Sequence, residues 1–201
     1  MAKLKIYGGP RSRARRCFWL ATELGVDFEA VNVDISKGEQ KSPEFLKLNP
    51  NGHVPVMDDD GFLLFESLAI NLYLAKKHGG PLAPKNLKEE ALATQWSLWA
   101  VNELEPHLIA MLLHRVVLPE EKRVASTANE AAEKLAAPLR VLDAAVSERD
   151  YLLGNAFTVA DLNVSALLSL ALRVSLDLSN FPNVRAWLDS CLGRPAAKAY
   201  A

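Results

Sequence analysis

Cysteine is nearly absent from the chain: two among 201 residues, Cys17 and Cys191, far apart and outside any C-x-x-C spacing. That excludes a disulfide framework and the dithiol chemistry of paired cysteines. The four histidines, His53, His78, His107 and His114, stand at no ligand spacing with either thiol, so no metal site is expected. Charge of either sign is not in excess: 23 basic against 24 acidic side chains, net −1. Such a balance leaves no electrostatic footprint for nucleic acid or for an anionic membrane. No apolar run approaches the ~18 residues that span a bilayer. A basic stretch followed by a long apolar one is also missing at the start, so the expected compartment is the cytoplasm. Repeats and low-complexity segments are absent.

What is present divides near residue 80. The first part alternates strand and helix. Leu4–Tyr7 is strand-like and is ended by Gly8-Gly9-Pro10, a turn signal. Apolar residues then recur from Ser12 to Leu24, with Gly25 where a helix ends in the left-handed conformation. Phe28–Val33 is a second strand. Ser42-Pro43-Glu44 opens a short helix with its cap, its N1 proline and an acid in the first turn. Val54–Met57 and Phe62–Phe65 flank Asp58-Asp59-Asp60-Gly61, a hairpin turn. The three aspartates lack further oxygen ligands at calcium-loop spacing and are expected to be a solvated turn. A helix over Ser67–His78 follows. The order βαβαββα gives a mixed four-stranded sheet: a crossover makes the first two strands parallel and the hairpin is antiparallel. Domain boundaries are expected at 1–79 and 86–201, with 80–85 as linker. Beyond the linker every segment has helical spacing, giving an all-α bundle: Leu87–Leu113, Pro119 to about Val146, a helix capped by Thr158 and Asp161, and Pro182–Arg194.

Three features between Asn49 and Leu74 carry chemistry. Val54-Pro55 precedes a strand, and proline fits poorly inside one. A cis bond there would turn the N–H and C=O of Val54 outward, toward an extended peptide. Glu66-Ser67 lies where strand becomes helix, and the unpaired N–H groups of a helix start bind a carboxylate. Ser67 adds a hydroxyl donor, and Glu66 accepts from an ammonium. A short peptide with an amino-acid-like end satisfies all three.

N-P-N-G-H-V-P-V, the E-S followed by A-I-N-L-Y-L, and F-T-V-A-D-L resemble the motifs of the cytosolic glutathione transferase family, over nearly the whole chain. The resemblance implies a thioredoxin-like N-terminal domain and the all-helical C-terminal domain. It also implies glutathione as co-substrate, conjugation to a hydrophobic electrophile, and a homodimer. It places the cysteinyl part of glutathione at Val54 beside Pro55, the γ-glutamyl end at Glu66 and Ser67, and the glycyl carboxylate near Gln40 and His53. Glutathione-dependent peroxidase, isomerase or dehalogenase activity, or a non-catalytic binding module, are the alternatives on the same fold.

The reaction needs a thiolate, and a free thiol of pKa ~8.5 is mostly protonated at neutral pH. A hydroxyl donor that stabilises the anion lowers that value. Ser12, at the start of the first helix among Arg11 and Arg13, is favoured, since the helix dipole and both cations also suit an anion. It resembles the serine-type, theta-like members. Tyr7, at the end of the first strand, is the alternative. Cys17 lies on a buried stretch and is read as structural. The electrophile pocket is expected between the domains, lined by Pro10, Trp99, Glu103, His107 and Met111.

Overall fold

A computed structural model describes residues 4–200. Two compact units are found, one of residues up to Ala83 together with the C-terminal segment from Pro195, the other of Pro84–Arg194.

In the first unit four strands form one sheet in the order β2-β1-β3-β4. β1 (Leu4–Tyr7) pairs in parallel with β2 (Phe28–Val31) and antiparallel with β3 (Val56–Asp59), which pairs antiparallel with β4 (Phe62–Phe65). This is the mixed sheet expected. The β3–β4 turn puts Asp60 at φ 55° and Gly61 at φ 87°, the left-handed pair that a tight hairpin requires. Helix α1 (Ala14–Glu23) packs against α3 (Ser67–His78). Between β2 and β3, α2 (Pro43–Leu46) is capped by Ser42, whose Oγ accepts from Phe45 N–H at 3.2 Å. Ile6, Trp19, Leu20, Met57, Ile70 and Leu74 have essentially no accessible surface. Each such side chain contributes about 1.5–3 kcal/mol by leaving water. A second cluster, Val33, Phe45 and Val56, gathers Tyr7, Leu48, Val54 and Phe65 around it.

The other unit is all helical, as the spacing indicated, but its boundaries differ. The single helix expected over Leu87–Leu113 is α4 (Leu87–Trp99) and α5 (Glu105–Leu112), with wider π turns at Ala100–Leu104 and Leu113–Val117. Pro106 explains the first: it has no N–H to close the regular ladder, and Glu105 N–H bonds instead to Ala100 C=O, five residues back. The helix expected from Pro119 is a 3₁₀ turn at Glu120–Lys122 followed by α6 (Ala125–Lys134) and α7 (Ala136–Ala145). Pro138 sits in the first turn of α7, where its missing N–H is tolerated, and the ladder restarts there. Helix α8 (Val159–Leu168) is buried on every side, the pattern of a central helix. A four-residue helix, α9 (Leu170–Arg173), and then α10 (Pro182–Leu192) complete the unit.

Asp161 carries the start of α8. Its carboxylate accepts from Leu152 N–H (2.7 Å), Thr158 N–H (3.0 Å), Thr158 Oγ1–H (2.9 Å) and Trp187 Nε1–H (3.1 Å). Thr158 and Asp161 form the reciprocal capping box that the motif implied. Burial pushes the Asp161 carboxyl above the ordinary carboxylate pKa, while the four donors pull against that shift. Unforeseen was α11 (Pro195–Tyr200), which returns to the first unit and sets the Tyr200 ring 5.9 Å from Phe18 on α1.

Candidate active site

The site is built where the glycine turn after β1, the loop before β3 and the start of α3 converge. Gly8 has φ 137°, and a Cβ there would lie 2.7 Å from Ala14 Cβ and 3.2 Å from both Ser12 Oγ and Val54 Cβ. Only glycine fits, and the close approach brings Ser12 and Val54 together. Ser12 is half-buried. Its hydroxyl donates to Gly9 C=O at 2.7 Å and accepts from Ala14 N–H at 3.1 Å, capping α1. Arg11 and Arg13 on either side are exposed. Tyr7 instead packs against Val33, Phe45 and Val56.

Val54-Pro55 is a cis peptide bond. β3 begins only at Val56, so Val54 lies outside the ladder. Neither its N–H nor its C=O has a hydrogen-bond partner among the described residues. Groups of this kind are rarely left unsatisfied, and here they form an open backbone edge. The loop that delivers them is held by Asn49, only 2% exposed. Asn49 Nδ2–H donates to His53 C=O at 2.8 Å, and its Oδ1 accepts from Asn51 N–H at 3.0 Å. The sequence signal for this was an asparagine three residues before a glycine, which read only as the end of α2.

Gln40 and His53 flank the same loop. Gly52, at φ 60°, lies so close to Gln40 C=O that a Cβ would come within 2.8 Å. Lys41 Nζ donates to Asn51 C=O at 3.0 Å. The amide oxygen of Gln40 is enclosed with no hydrogen-bond partner. His53 is exposed; its fixed part is the carbonyl held by Asn49.

Glu66 is exposed and has φ 72° and ψ 110° immediately before α3. A non-glycine residue in that region carries about 1–3 kcal/mol of strain, which clusters at ligand clamps. Ser67 is the first helical residue and is buried; its Oγ accepts from Arg16 Nη1–H at 3.3 Å. Cys17 Sγ lies 3.6 Å from Ser67 C=O, and Asn71 Nδ2–H donates to Arg16 C=O at 3.3 Å. α1 and α3 are thus tied by a buried polar seam. Burial pushes the Cys17 thiol pKa far up, so it is inert, as the sequence position suggested.

The residues expected to line an electrophile pocket belong to both units. Pro10 is exposed in the first unit. In the helical unit, Trp99 is half-buried with its ring edge-on to Trp96 at 5.0 Å, Glu103 is exposed on the first π turn, and His107 is half-buried. Met111 is a correction: it has no accessible surface and belongs to the core of that unit. The 3-and-4 spacing that joined it to His107 identifies a shared face, and the helical core claims the Met111 end of it. Among the described residues no group of three or more His, Cys, Asp or Glu is placed to hold a metal ion. No helix among them is long and apolar enough to cross a membrane.

Residues 2–76 match the family model for the glutathione S-transferase N-terminal domain, and 106–195 that for its C-terminal domain. The chain is 37% identical to maize glutathione S-transferase 3 over 211 residues, covering 98% of this chain and 92% of that protein. It is similar in structure to a theta-class glutathione S-transferase from Xanthomonas axonopodis pv. citri with glutathione bound (TM-score 0.92, 28% identity, 100% and 97% coverage). A glutathione S-transferase-I bound with lactoylglutathione superposes with TM-score 0.90 at 32% identity, over 100% and 99% of the two chains.

Proposed function

The chain belongs to the glutathione S-transferase family and is a glutathione transferase, and from that premise we propose how its residues hold and activate glutathione. The cysteinyl part pairs with the open N–H and C=O of Val54, beside buried Pro55. The γ-glutamyl carboxylate lies at the start of α3 on the Ser67 hydroxyl, and Glu66 accepts from the ammonium. Gln40 and the His53 segment flank the glycyl end. Ser12, not Tyr7, faces the sulfur, which makes this a serine-type enzyme. The unpartnered backbone of Val54, with Ser12 Oγ beside it at Gly8, carries the reading.

When the ligand binds, Ser12 Oγ–H turns from Gly9 C=O to the sulfur. It exchanges a neutral hydrogen bond for a charge-assisted one. The thiol proton leaves to solvent, since a serine hydroxyl donates here and accepts no proton. The thiolate attacks the electrophilic carbon, a carbon–sulfur bond forms, and the leaving group departs with its electron pair. Trp99, Glu103, His107 and Pro10 remain candidates for contacting the hydrophobic electrophile. An assay with glutathione and a generic aryl halide tests this directly: a conjugate forms only with both present, and a protein that binds glutathione without forming it is a binding module.

The same proposal includes a cytoplasmic homodimer. Leu87, Ala91, Thr94, Leu98 and Val101 are all exposed and follow a 4-3-4-3 spacing along α4 and the turn after it. The smaller Ala91 and Thr94 at the middle of this stripe let a second copy of the same helix approach closely about a two-fold axis. Sedimentation equilibrium is expected to give twice the chain mass; a monomer removes this part.

A further inference from the structure

We propose that the helical unit holds a second small-molecule site, for an apolar α-amino acid, in a groove between the α6–α7 junction and the loop that joins α9 to α10. The groove encloses about 370 Å³, near the small end of the range for small-molecule sites. It lies wholly within Pro84–Arg194, and none of its residues is among those assigned to glutathione or to the electrophile.

Its walls follow from the sequence. Pro138 offers no N–H to the Lys134 carbonyl, so α6 ends at Lys134 and α7 begins at Ala136. Ala132 and Ala136, one turn apart, leave a hollow there over buried Leu139. Leu176 and Phe181 close the other side. The loop that carries them is fixed at both ends. Arg115 Nη1–H donates to Val174 C=O at 2.8 Å. Asp143 on α7 accepts from Val184 N–H and from Asn183 Nδ2–H, each at 2.9 Å. Between these ties Ser175 holds φ 51°, a conformation that costs a non-glycine residue stability and clusters at ligand clamps. Both walls are therefore set before any ligand arrives, which lowers the cost of binding.

The rim carries one charge of each sign. Asp177 Oδ1 accepts from Ser179 N–H at 2.8 Å, and Oδ2 from Ser179 Oγ–H at 3.0 Å. Those donors hold the Asp177 carboxyl below the ordinary carboxylate pKa. It is ionised at neutral pH, with a lone pair on each oxygen still open. Arg140 and Asn180 are exposed. Neither side chain has a hydrogen-bond or ion-pair partner among the described residues. A simple anion would meet Asp177, and a simple cation would meet Arg140. A zwitterion satisfies both. Its carboxylate takes the Arg140 fork, its ammonium takes the Asp177 oxygens, and the Asn180 amide offers one donor side and one acceptor. The apolar side chain then lies in the hollow, against Leu139 and Phe181.

Equilibrium dialysis of the full chain with labelled L-phenylalanine tests the proposal. S-methylglutathione is present at saturation, so that the amino-acid anchor at Glu66 and Ser67 is not the site measured. Saturable binding with Kd of about 1 mM or tighter is expected. Three competitors each lack one element: 3-phenylpropionate the ammonium, phenethylamine the carboxylate, L-alanine the ring. Each is expected to bind at least about fivefold more weakly than phenylalanine. Arg140→Gln and Asp177→Asn are surface changes, and asparagine keeps the turn with Ser179. Each is expected to weaken phenylalanine at least about fivefold, and Ala136→Leu, which fills the hollow, to abolish binding. Binding of either single-charge analogue as tightly as phenylalanine overturns the proposal. So does unchanged affinity in Arg140→Gln or Asp177→Asn, or no saturable binding up to about 10 mM.

Discussion

Ser12→Ala lowers kcat/KM for aryl halide conjugation about fiftyfold at pH 6.5, while the affinity for S-methylglutathione changes less than about threefold. The size follows from the thiol. Shifting a thiol from pKa ~8.5 by ~2 units needs about 2.7 kcal/mol of preference for the anion. One hydroxyl donor in a sheltered site, with the α1 dipole and neighbouring arginines behind it, is of that order. The pH dependence separates this from a general loss of fold. With alanine at 12 the bound thiol ionises near its free value, so the deficit shrinks as pH rises and nearly vanishes above pH ~9. Removing the hydroxyl also uncaps Ala14 N–H, at a cost of about 1 kcal/mol in stability. Ser12→Thr keeps a hydroxyl and separates the two effects: it retains the cap and part of the rate. Tyr7 stands in the Val33–Phe45–Val56 cluster, so Tyr7→Phe is expected to leave the pH profile in place. The opposite pattern, loss with Tyr7→Phe and none with Ser12→Ala, transfers the role to Tyr7.

The largest effect on stability is expected at Asp161. Alanine there removes all four hydrogen bonds to the carboxylate. Leu152 N–H, Thr158 N–H and Trp187 Nε1–H are left facing a void, and each unsatisfied buried donor costs about 1–3 kcal/mol. Relaxation makes the costs less than additive, for a total of about 3–5 kcal/mol. In a protein of this size that lowers Tm by about 10–15 °C. Asp161→Asn keeps one oxygen but turns an amide toward donors, so it falls between alanine and the native residue. The effect is on folding: whatever soluble protein remains keeps its KM for glutathione, because Asp161 lies in the helical unit and its partners are all there. A thermal scan of the three proteins checks the order. A drop of less than ~3 °C for alanine contradicts the account of α8 as a helix held by its buried cap.

Much of this was legible in the chain because the signals were local. Gly25 past α1, Ser42-Pro43 before α2, Asp60-Gly61 between β3 and β4, and Thr158 with Asp161 at α8 each act within four residues. The structure has all four where the sequence put them. The cis bond at Val54-Pro55 and the start of α3 at Ser67 were also legible, since an X-Pro step and a strand-to-helix junction name their own backbone geometry. What was missed depends on distance. The burial of Arg16 is decided by α3, fifty residues on. Met111 was misplaced because a spacing of three and four shows which residues share a face, not what covers it. The π turn at Ala100–Leu104 had a local cause, Pro106, but a proline one turn into a helix reads equally as a start. The return of α11 to α1 rests on Tyr200 meeting Phe18 and Thr22, contacts no local pattern announces.

A crystal structure of the protein with S-methylglutathione measures the central claim directly. Density for the cysteinyl residue running antiparallel to Val54, its N–H and C=O each paired with that backbone and its sulfur within hydrogen-bond reach of Ser12 Oγ, is the predicted result. A groove at Val54 that stays empty at saturating ligand, or a ligand seated elsewhere, contradicts it.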